Sequence, residues 1–230
     1  MSTNKLERIP ANPIHPMPFT RIELAIMSVI DGRLVALLGK RARAPHLGKW
    51  ALPGGVLRID KDIHLDAAAQ RVGKERLEIT ADLPHLRQMK AVGSKSRDSR
   101  SAWALSIVYR TLIPVGQFDP SPGKRLEELK WFSADEAAAD KKLAFDHAGL
   151  IQMAVETTQN EIENLDLPFD FLPVAFTLGE LQSCCEAILG RRLDKSSFRR
   201  RLDERELLEP VQGEMRTGGA FRPAQLYQKR

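Results

Sequence analysis

Two apolar runs favourable to β-structure stand near the start of the chain, at 22–30 and 33–39. The Asp31-Gly32 pair between them is a strong hairpin signal. A loop from Ala44-Pro45 through Gly48 leads into Trp50-Ala51-Leu52-Pro53-Gly54-Gly55. The stretch 62–78 has helical apolar spacing at Ile63, Ala67, Val72 and Leu77, with Asp62 placed to cap it and Gly73 weakening it slightly. Strands are expected at 86–92 and 102–113, bracketing a polar loop, and again at 128–132. Helices are expected at 134–139 and 145–156. Strands alternating with helices in this order predict an α/β domain.

Past residue 160 the pattern changes. An acidic, polar stretch at 161–166 precedes 167–173, which is bounded by Pro168 and Pro173 and reads as linker. The chain therefore divides into an N-terminal arm (1–18), a first domain (19–159), a linker (160–174) and a small second domain (175–230). In the second domain, Thr177-Leu178-Gly179-Glu180 is a capping box that opens a helix ending near Leu189, and Gly190 supplies the stop. Asp194 or Ser196 caps a further helix through Glu206, with Phe198 and Leu202 facing inward and Lys195, Arg199, Arg200 and Arg201 outward. Two short strands, 207–211 and 224–227, flank a glycine-containing loop with Arg216 and Arg222. That order is a helix-turn-helix with a wing, its second helix being the recognition helix.

Charge strengthens this reading. The chain has 230 residues and a net charge of +5. From Arg191 to Arg230 there are eleven Lys or Arg against six Asp or Glu, also a net of +5, so the rest of the chain sums to zero. Basic charge gathered in one small domain points to a polyanion. No run of about 20 apolar residues exists, so no membrane span or membrane partner is expected. The first twenty residues contain four prolines and no apolar core, so a secretory signal is not expected either. The only cysteines are the adjacent Cys184 and Cys185, in an apolar helical stretch. They read as buried thiols of a cytoplasmic protein rather than a disulfide or a metal site.

The residues that carry chemistry lie between 54 and 79. After Gly54-Gly55 comes Arg71-Val72-Gly73-Lys74-Glu75-Arg76-Leu77-Glu78-Ile79. This resembles the Nudix box, G-x5-E-x7-R-E-U-x-E-E-x-G-U with U aliphatic, and the resemblance implies an α/β/α sandwich with a mixed sheet. Only Arg71, Glu75 and Ile79 agree with the helical part of the pattern. Val72 and Arg76 replace two glutamates, Glu78 replaces the glycine, Lys61 takes the first glutamate position, and the spacing is two residues too long. In a working box the carboxylates share a helix face and hold divalent cations that neutralise a pyrophosphate. With these replacements no catalytic residue, no metal ligand and no cofactor is expected. A guanidinium at 76 instead favours direct contact with phosphate.

The loop Ser94-Lys95-Ser96-Arg97-Asp98-Ser99-Arg100 resembles the S-R-D-x-R loop of the Nudix-related transcriptional regulators known as NrtR. The second domain resembles that family's winged helix at Phe176-Thr177-Leu178, Glu180-Leu181-Gln182, Ala187-Ile188-Leu189-Gly190-Arg191, Leu193 through Leu202 and Arg222-Pro223-Ala224-Gln225-Leu226-Tyr227. The resemblance implies a repressor-type regulator, acting as a homodimer on a palindromic site in double-stranded DNA. It also implies a small phosphorylated effector such as ADP-ribose, and, in the best-known branch, control of NAD metabolism. On this basis the candidate effector contacts are Arg41, Arg43, Gly54, Gly55, Arg58, Arg71, Glu75, Arg76, Ser96, Arg97, Asp98 and Arg100. The candidate DNA contacts are Arg192, Lys195, Ser196, Ser197, Arg199, Arg200, Arg201, Arg216 and Arg222. Two alternatives stay open at this point: a hydrolase of a nucleoside diphosphate derivative with metal ligands from outside the box, and an RNA-binding accessory factor.

Overall fold

A computed structural model describes residues 17–216 and 223–230. Most of the N-terminal arm, and Arg222 at the tip of the expected wing, lie outside the described residues. The first domain is organised around β1 (Phe19–Ile30), which pairs antiparallel with β2 (Arg33–Arg41) through the Asp31-Gly32 turn. Both turn residues have positive φ, 49° and 71°, as a tight hairpin with right-handed strand twist requires. β2 pairs with β3 (Trp50–Ala51), and the short β4 (Gly54–Val56) pairs with Arg21–Glu23 of β1. β5 (Arg87–Ser94) pairs antiparallel with β6 (Ala104–Leu112), and β6 runs parallel to β1. β7 (Leu126–Ser133) closes against β2. The result is one mixed seven-stranded sheet.

Alternation along β1 assigns the two faces. Ile22, Leu24 and Ile26 pack with Ala68, Ala69, Val72 and Leu77 of α1 (Leu65–Leu77). Ala25 and Met27 join Ala134 and Ala137 of α2 (Ala134–Ala139) and Leu150, Ile151, Ala154 and Val155 of α3 (His147–Glu163). The strand is buried on both faces because helices cover both, which makes the sandwich.

Several local expectations are corrected. The cap of α1 is His64, whose Nδ1 accepts the Ala67 N–H at 3.0 Å, not Asp62. Asp62 is held elsewhere by Arg71, and Ile63, outside the helix, is left 87% exposed. α3 continues seven residues beyond the expected 156, because Thr158 and Ile162 still face the core. It therefore enters the stretch read as linker. The rest of that stretch is packed rather than free: Leu167 is buried, a 3₁₀ turn spans Phe169–Phe171, and the Phe169 ring stacks on Phe176 at 5.9 Å. Ion pairs bind it and the end of α3 to the sheet, Asp166 to Arg87 of the edge strand β5 at 3.0 Å and Glu161 to Arg110 of β6.

The second domain comprises β8 (Phe176–Thr177), α4 (Leu178–Leu189), α5 (Lys195–Glu204), β9 (Leu208–Arg216) and β10 (Ala224–Lys229), with sheet order β8-β10-β9. The capping box is present. Thr177 Oγ1 accepts the Glu180 N–H at 3.1 Å and the Glu180 carboxylate accepts the Thr177 N–H at 2.7 Å. Gly190 ends α4 at φ 66°. Asp194 caps α5, and Phe198 and Leu202 are its buried residues. β9 extends five residues beyond the strand expected, to Arg216, which pairs with Ala224 and shortens the wing loop. Phe176, Leu181, Cys184, Cys185 and Ile188 belong to the same apolar cluster as Met27, Leu150 and Val155, so the domains share one core. Both thiols are free and buried, and burial pushes Cys184 up to about 12.

Candidate functional site

The sheet presents two charged residues inside its core. Arg21 and Glu23 follow each other on the α3-facing side of β1 and are almost wholly buried, with Arg21 Nε 2.7 Å from Glu23 Oε1. A buried pair of this kind is costly unless further polar groups surround it. Here they gather on Glu23 Oε1, while Oε2 is buried without a hydrogen-bond partner among the described residues. Ser106 Oγ donates to Glu23 Oε1 at 3.4 Å, and His147 Nε2 lies 3.9 Å from the same oxygen. Burial alone would raise the Glu23 carboxyl, but Arg21, His147 and Arg97 together hold it below the usual carboxylate range. Register places Gly54 directly across from Glu23, where an added Cβ would stand 1.8 Å from Glu23 Oε2. Glycine is required there by close approach. Gly55 is required likewise, since its Cβ would meet Val72 Cγ2 of α1 at 2.7 Å.

Around this pair lies a cavity lined by six arginines, Arg21, Arg41, Arg43, Arg76, Arg100 and Arg125, with Gly54, Leu52 and Leu126. Each guanidinium has its own anchor or none. Arg41 Nε donates to the Pro45 carbonyl at 2.8 Å and its guanidinium lies 4.9 Å from the centre of the Phe145 ring. Arg100 is held by the buried Asp98 and stacks over Phe19 at 4.9 Å. Arg76 donates from Nε to the Gly54 carbonyl and from Nη1 to the Lys124 carbonyl, both at 2.6 Å. Among the described residues Arg43 and Arg125 have no carboxylate partner. A second hollow, lined by Val56, Arg58, Arg71, Glu75, Arg76, Lys124 and Arg125, shares two arginines with the first. Fixed cations in a half-buried recess, several without a counter-ion, are suited to a phosphate-bearing anion.

Of the residues singled out in the sequence, Arg41, Arg43, Gly54, Arg76 and Arg100 line the cavity, while Arg58 and Glu75 line the neighbouring hollow. Arg71 also borders the hollow but is taken by Asp62, in two hydrogen bonds of 2.6 and 2.7 Å, and by the Val56 carbonyl at 3.0 Å. It fastens the loop after Gly55 to α1. Arg97 does not line the cavity. It grips Asp146 in two 2.8 Å bonds and donates to Ser106, so it acts at the start of α3. Asp98 holds Arg100, Gly55 packs on Val72, and Ser96 stands exposed outside both linings. Sequence reading missed Arg21, Glu23, Phe145, His147 and Arg125. A carboxylate inside the apolar run 22–30, with an arginine just before the run, was a usable signal for the first pair. Arg125 had none, since the loop 121–125 reaches α1 only in the fold.

The start of α3 gathers much of this. Phe145 faces Arg41 and lies 5.8 Å from Arg100, Asp146 binds Arg97, and His147 Nδ1 accepts the Leu52 N–H at 2.9 Å. Burial pushes His147 down to about 4, with Glu23 opposing, so the ring is neutral at physiological pH. At the other end of α3, the Glu163 carbonyl accepts from Arg201 of α5, the Glu163 carboxylate pairs with Arg191 at 2.7 Å, and Gln159 donates to the Ile188 carbonyl at 3.2 Å.

The residues 20–154 match the NUDIX domain family model, and 168–228 match the model described as NrtR DNA-binding winged helix domain. The chain belongs to the NrtR family. It is 36% identical over 213 residues to an Acinetobacter baylyi protein named ADPR responsive transcriptional repressor NtrR, covering 93% of this chain and 82% of that one. Its fold is similar to Shewanella oneidensis NrtR complexed with a 27mer DNA, at 30% identity and TM-score 0.74, with 92% and 93% of the two chains covered. The NUDIX domain of Shewanella oneidensis NrtR complexed with ADP ribose is similar over 62% of this chain and 90% of that one, at 27% identity and TM-score 0.56.

In the NrtR-type winged helix of this chain, Lys195, Ser196, Ser197, Arg199 and Arg200 are all exposed along α5. Arg200 has only a 3.7 Å contact with Glu204. Arg201, expected to project outward, turns back to the Glu163 carbonyl because that end of α3 lies beneath it. Arg216 likewise pairs with Glu180 and with the Ala175 carbonyl, since the longer β9 brings it over the start of α4. Arg192 is exposed and paired with Glu186 at 2.7 Å.

Proposed function

We propose that this chain is a DNA-binding transcriptional regulator whose Nudix domain takes ADP-ribose or a related phosphorylated metabolite, and that the ligand changes its grip on an operator. The effector sits against Arg21, Arg41, Arg43, Arg76, Arg100 and Arg125. The exposed row Lys195, Ser196, Ser197, Arg199 and Arg200 meets the DNA. Residues 19–159 form the sensing unit and 175–230 the DNA-binding unit, and the protein acts as a homodimeric repressor in the cytoplasm on a palindromic site.

One observation carries this reading. α3 is a single 17-residue helix, about 25 Å long at 1.5 Å per residue. Its first residues touch the arginine cavity, and its last residue holds Arg201 of the recognition helix. A ligand that shifts Phe145 or Arg41 therefore acts on the rod that positions α5. It regulates only to the extent that its affinity differs between the two placements.

We also propose that the domain does not hydrolyse its ligand. Glu75 is flanked by Arg58 and Arg71 at 3.5 Å each, and the positions of two other box glutamates hold buried Val72 and Arg76. The deciding experiment titrates the protein with a duplex from its own upstream region at fixed salt, with and without ADP-ribose. Selective binding that ADP-ribose weakens supports the reading. Selective binding indifferent to ADP-ribose moves the search to other phosphorylated metabolites. Mg²⁺-dependent turnover of a nucleoside diphosphate derivative, abolished by Glu75→Gln, would replace the regulator with a hydrolase.

A further inference from the structure

A Nudix hydrolase uses helix carboxylates to hold divalent cations, and those cations neutralise the substrate's diphosphate. The residues of this helix do not fit a metal ion. Val72 is 1% exposed and packed against Gly55, Glu75 is engaged by two arginines, and Arg76 brings positive charge of its own. Among the described residues no three His, Cys, Asp or Glu side chains are grouped to hold a metal.

The same positions are built to hold fixed cations. Arg76 is clamped between the Gly54 and Lys124 carbonyls, which sets the plane of its guanidinium and leaves further N–H donors unspent. Arg125 is brought beside it by a loop that caps the end of α1. The Ser121, Gly123 and Lys124 N–H groups donate to the Leu77, Arg76 and Glu75 carbonyls, each at 2.9 Å. Those helix-end carbonyls would otherwise need water. Gly123 permits the approach, because a Cβ there would stand 2.4 Å from the Glu75 carbonyl oxygen. The cluster carries the electrostatic mark of unneutralised charge. Burial, then Arg125 and Arg21, pushes Arg76 down to about 10, and burial with Arg21 and Arg100 lowers Arg41. Both remain cationic at neutral pH.

We infer that this site binds the diphosphate of its ligand without a divalent cation, the guanidinium groups of Arg76 and Arg125 supplying the positive charge that metal ions supply in the hydrolases. The inference rests on the reading of the cavity as a phosphate site. It implies an affinity independent of Mg²⁺ and a ligand that is held intact.

The test is calorimetric titration of the full chain with ADP-ribose and, separately, with inorganic pyrophosphate, in EDTA and in Mg²⁺ at matched ionic strength. The expected result for EDTA is an affinity within about twofold of that in Mg²⁺. Arg125→Gln should weaken binding about tenfold or more in EDTA, the loss of one charge-assisted hydrogen bond. Arg125 is exposed, so this variant keeps the fold, and Arg76→Lys serves as the second probe, expected to bind more weakly because an ammonium cannot reproduce the clamped fork. Binding of pyrophosphate only in Mg²⁺, no binding of it in either buffer, or indifference to Arg125→Gln would overturn the inference. If ADP-ribose fails in both buffers while pyrophosphate binds in EDTA and responds to Arg125→Gln, the effector assignment falls and the metal-free site stands.

Discussion

The protein uses arginine in two contrasting ways. In the Nudix cavity Arg41, Arg76 and Arg100 are clamped by carbonyls, a buried carboxylate and aromatic rings, so their orientation is set before any ligand arrives. On α5, Lys195 and Arg199 are exposed without a partner among the described residues, and Arg200 has one weak contact. Clamped cations in a low-dielectric recess select a small anion by shape and lose little entropy on binding. Exposed cations on a helix act on a polyanion through released counterions, strongly but with an affinity that salt erodes. The contrast teaches that burial and anchoring, rather than arginine content, separate the proposed metabolite site from the proposed nucleic-acid surface within one chain.

Breaking the close packing under the cavity should have the largest effect. Gly54→Ala drives a methyl group into Glu23 and should cost about 3 kcal/mol of stability in denaturant unfolding. Its counterpart in the second domain, Gly190→Ala, meets open space and only the left-handed backbone at φ 66°, and should cost about 1 kcal/mol. Equal losses at the two sites would remove the distinction.

His147 sharpens the comparison through pH. Its folded pKa, about 4, lies below the unfolded value of 6.5, so the unfolded chain binds the proton first as pH falls. This contribution is fully present above pH 6.5 and is lost progressively as pH falls from 6.5 toward 4, by about 3 kcal/mol in all. His147→Gln should flatten that slope. An unchanged pH profile of unfolding in the variant would show that another group carries it.

Next in size is a crossed pair of substitutions. Arg199→Ala should lower the salt slope of log affinity for DNA by about 0.9 and leave ADP-ribose affinity unchanged. Arg41→Ala should do the reverse, weakening ADP-ribose about tenfold with the salt slope intact. If either variant moves both quantities, the two regions are not separable. The smallest effect is expected at Arg192, exposed and paired with Glu186: Arg192→Ala should change stability by less than about 1 kcal/mol.

Much of the architecture was legible in the order of residues. The Asp31-Gly32 hairpin, the Thr177–Glu180 capping box, the Gly190 stop and the inward Phe198 and Leu202 each depend on neighbours within a few positions. The errors share a cause. Asp62 looked like a cap, but Arg71, nine residues away, captures it and leaves His64 to cap the helix. Residues 160–163 at the end of α3 looked like linker, but Ile162 shares one apolar core with the second domain, which packs against it. Arg97, Arg201 and Arg216 looked free, and each is taken by a group 9 to 49 residues distant along the chain.

Sequence alone determined the two-domain order, the strand and helix periods, the family resemblance and the localisation of net positive charge in the last forty residues. Those properties are local or additive, and no folding is needed to count them. Only the tertiary structure decided which arginines face the cavity. It set Gly54 against Glu23, brought Arg125 to Arg76 through a loop capping α1, and joined the cavity to α5 through α3. A guanidinium is long enough to reach several partners, and which it meets depends on contacts between segments far apart in the chain.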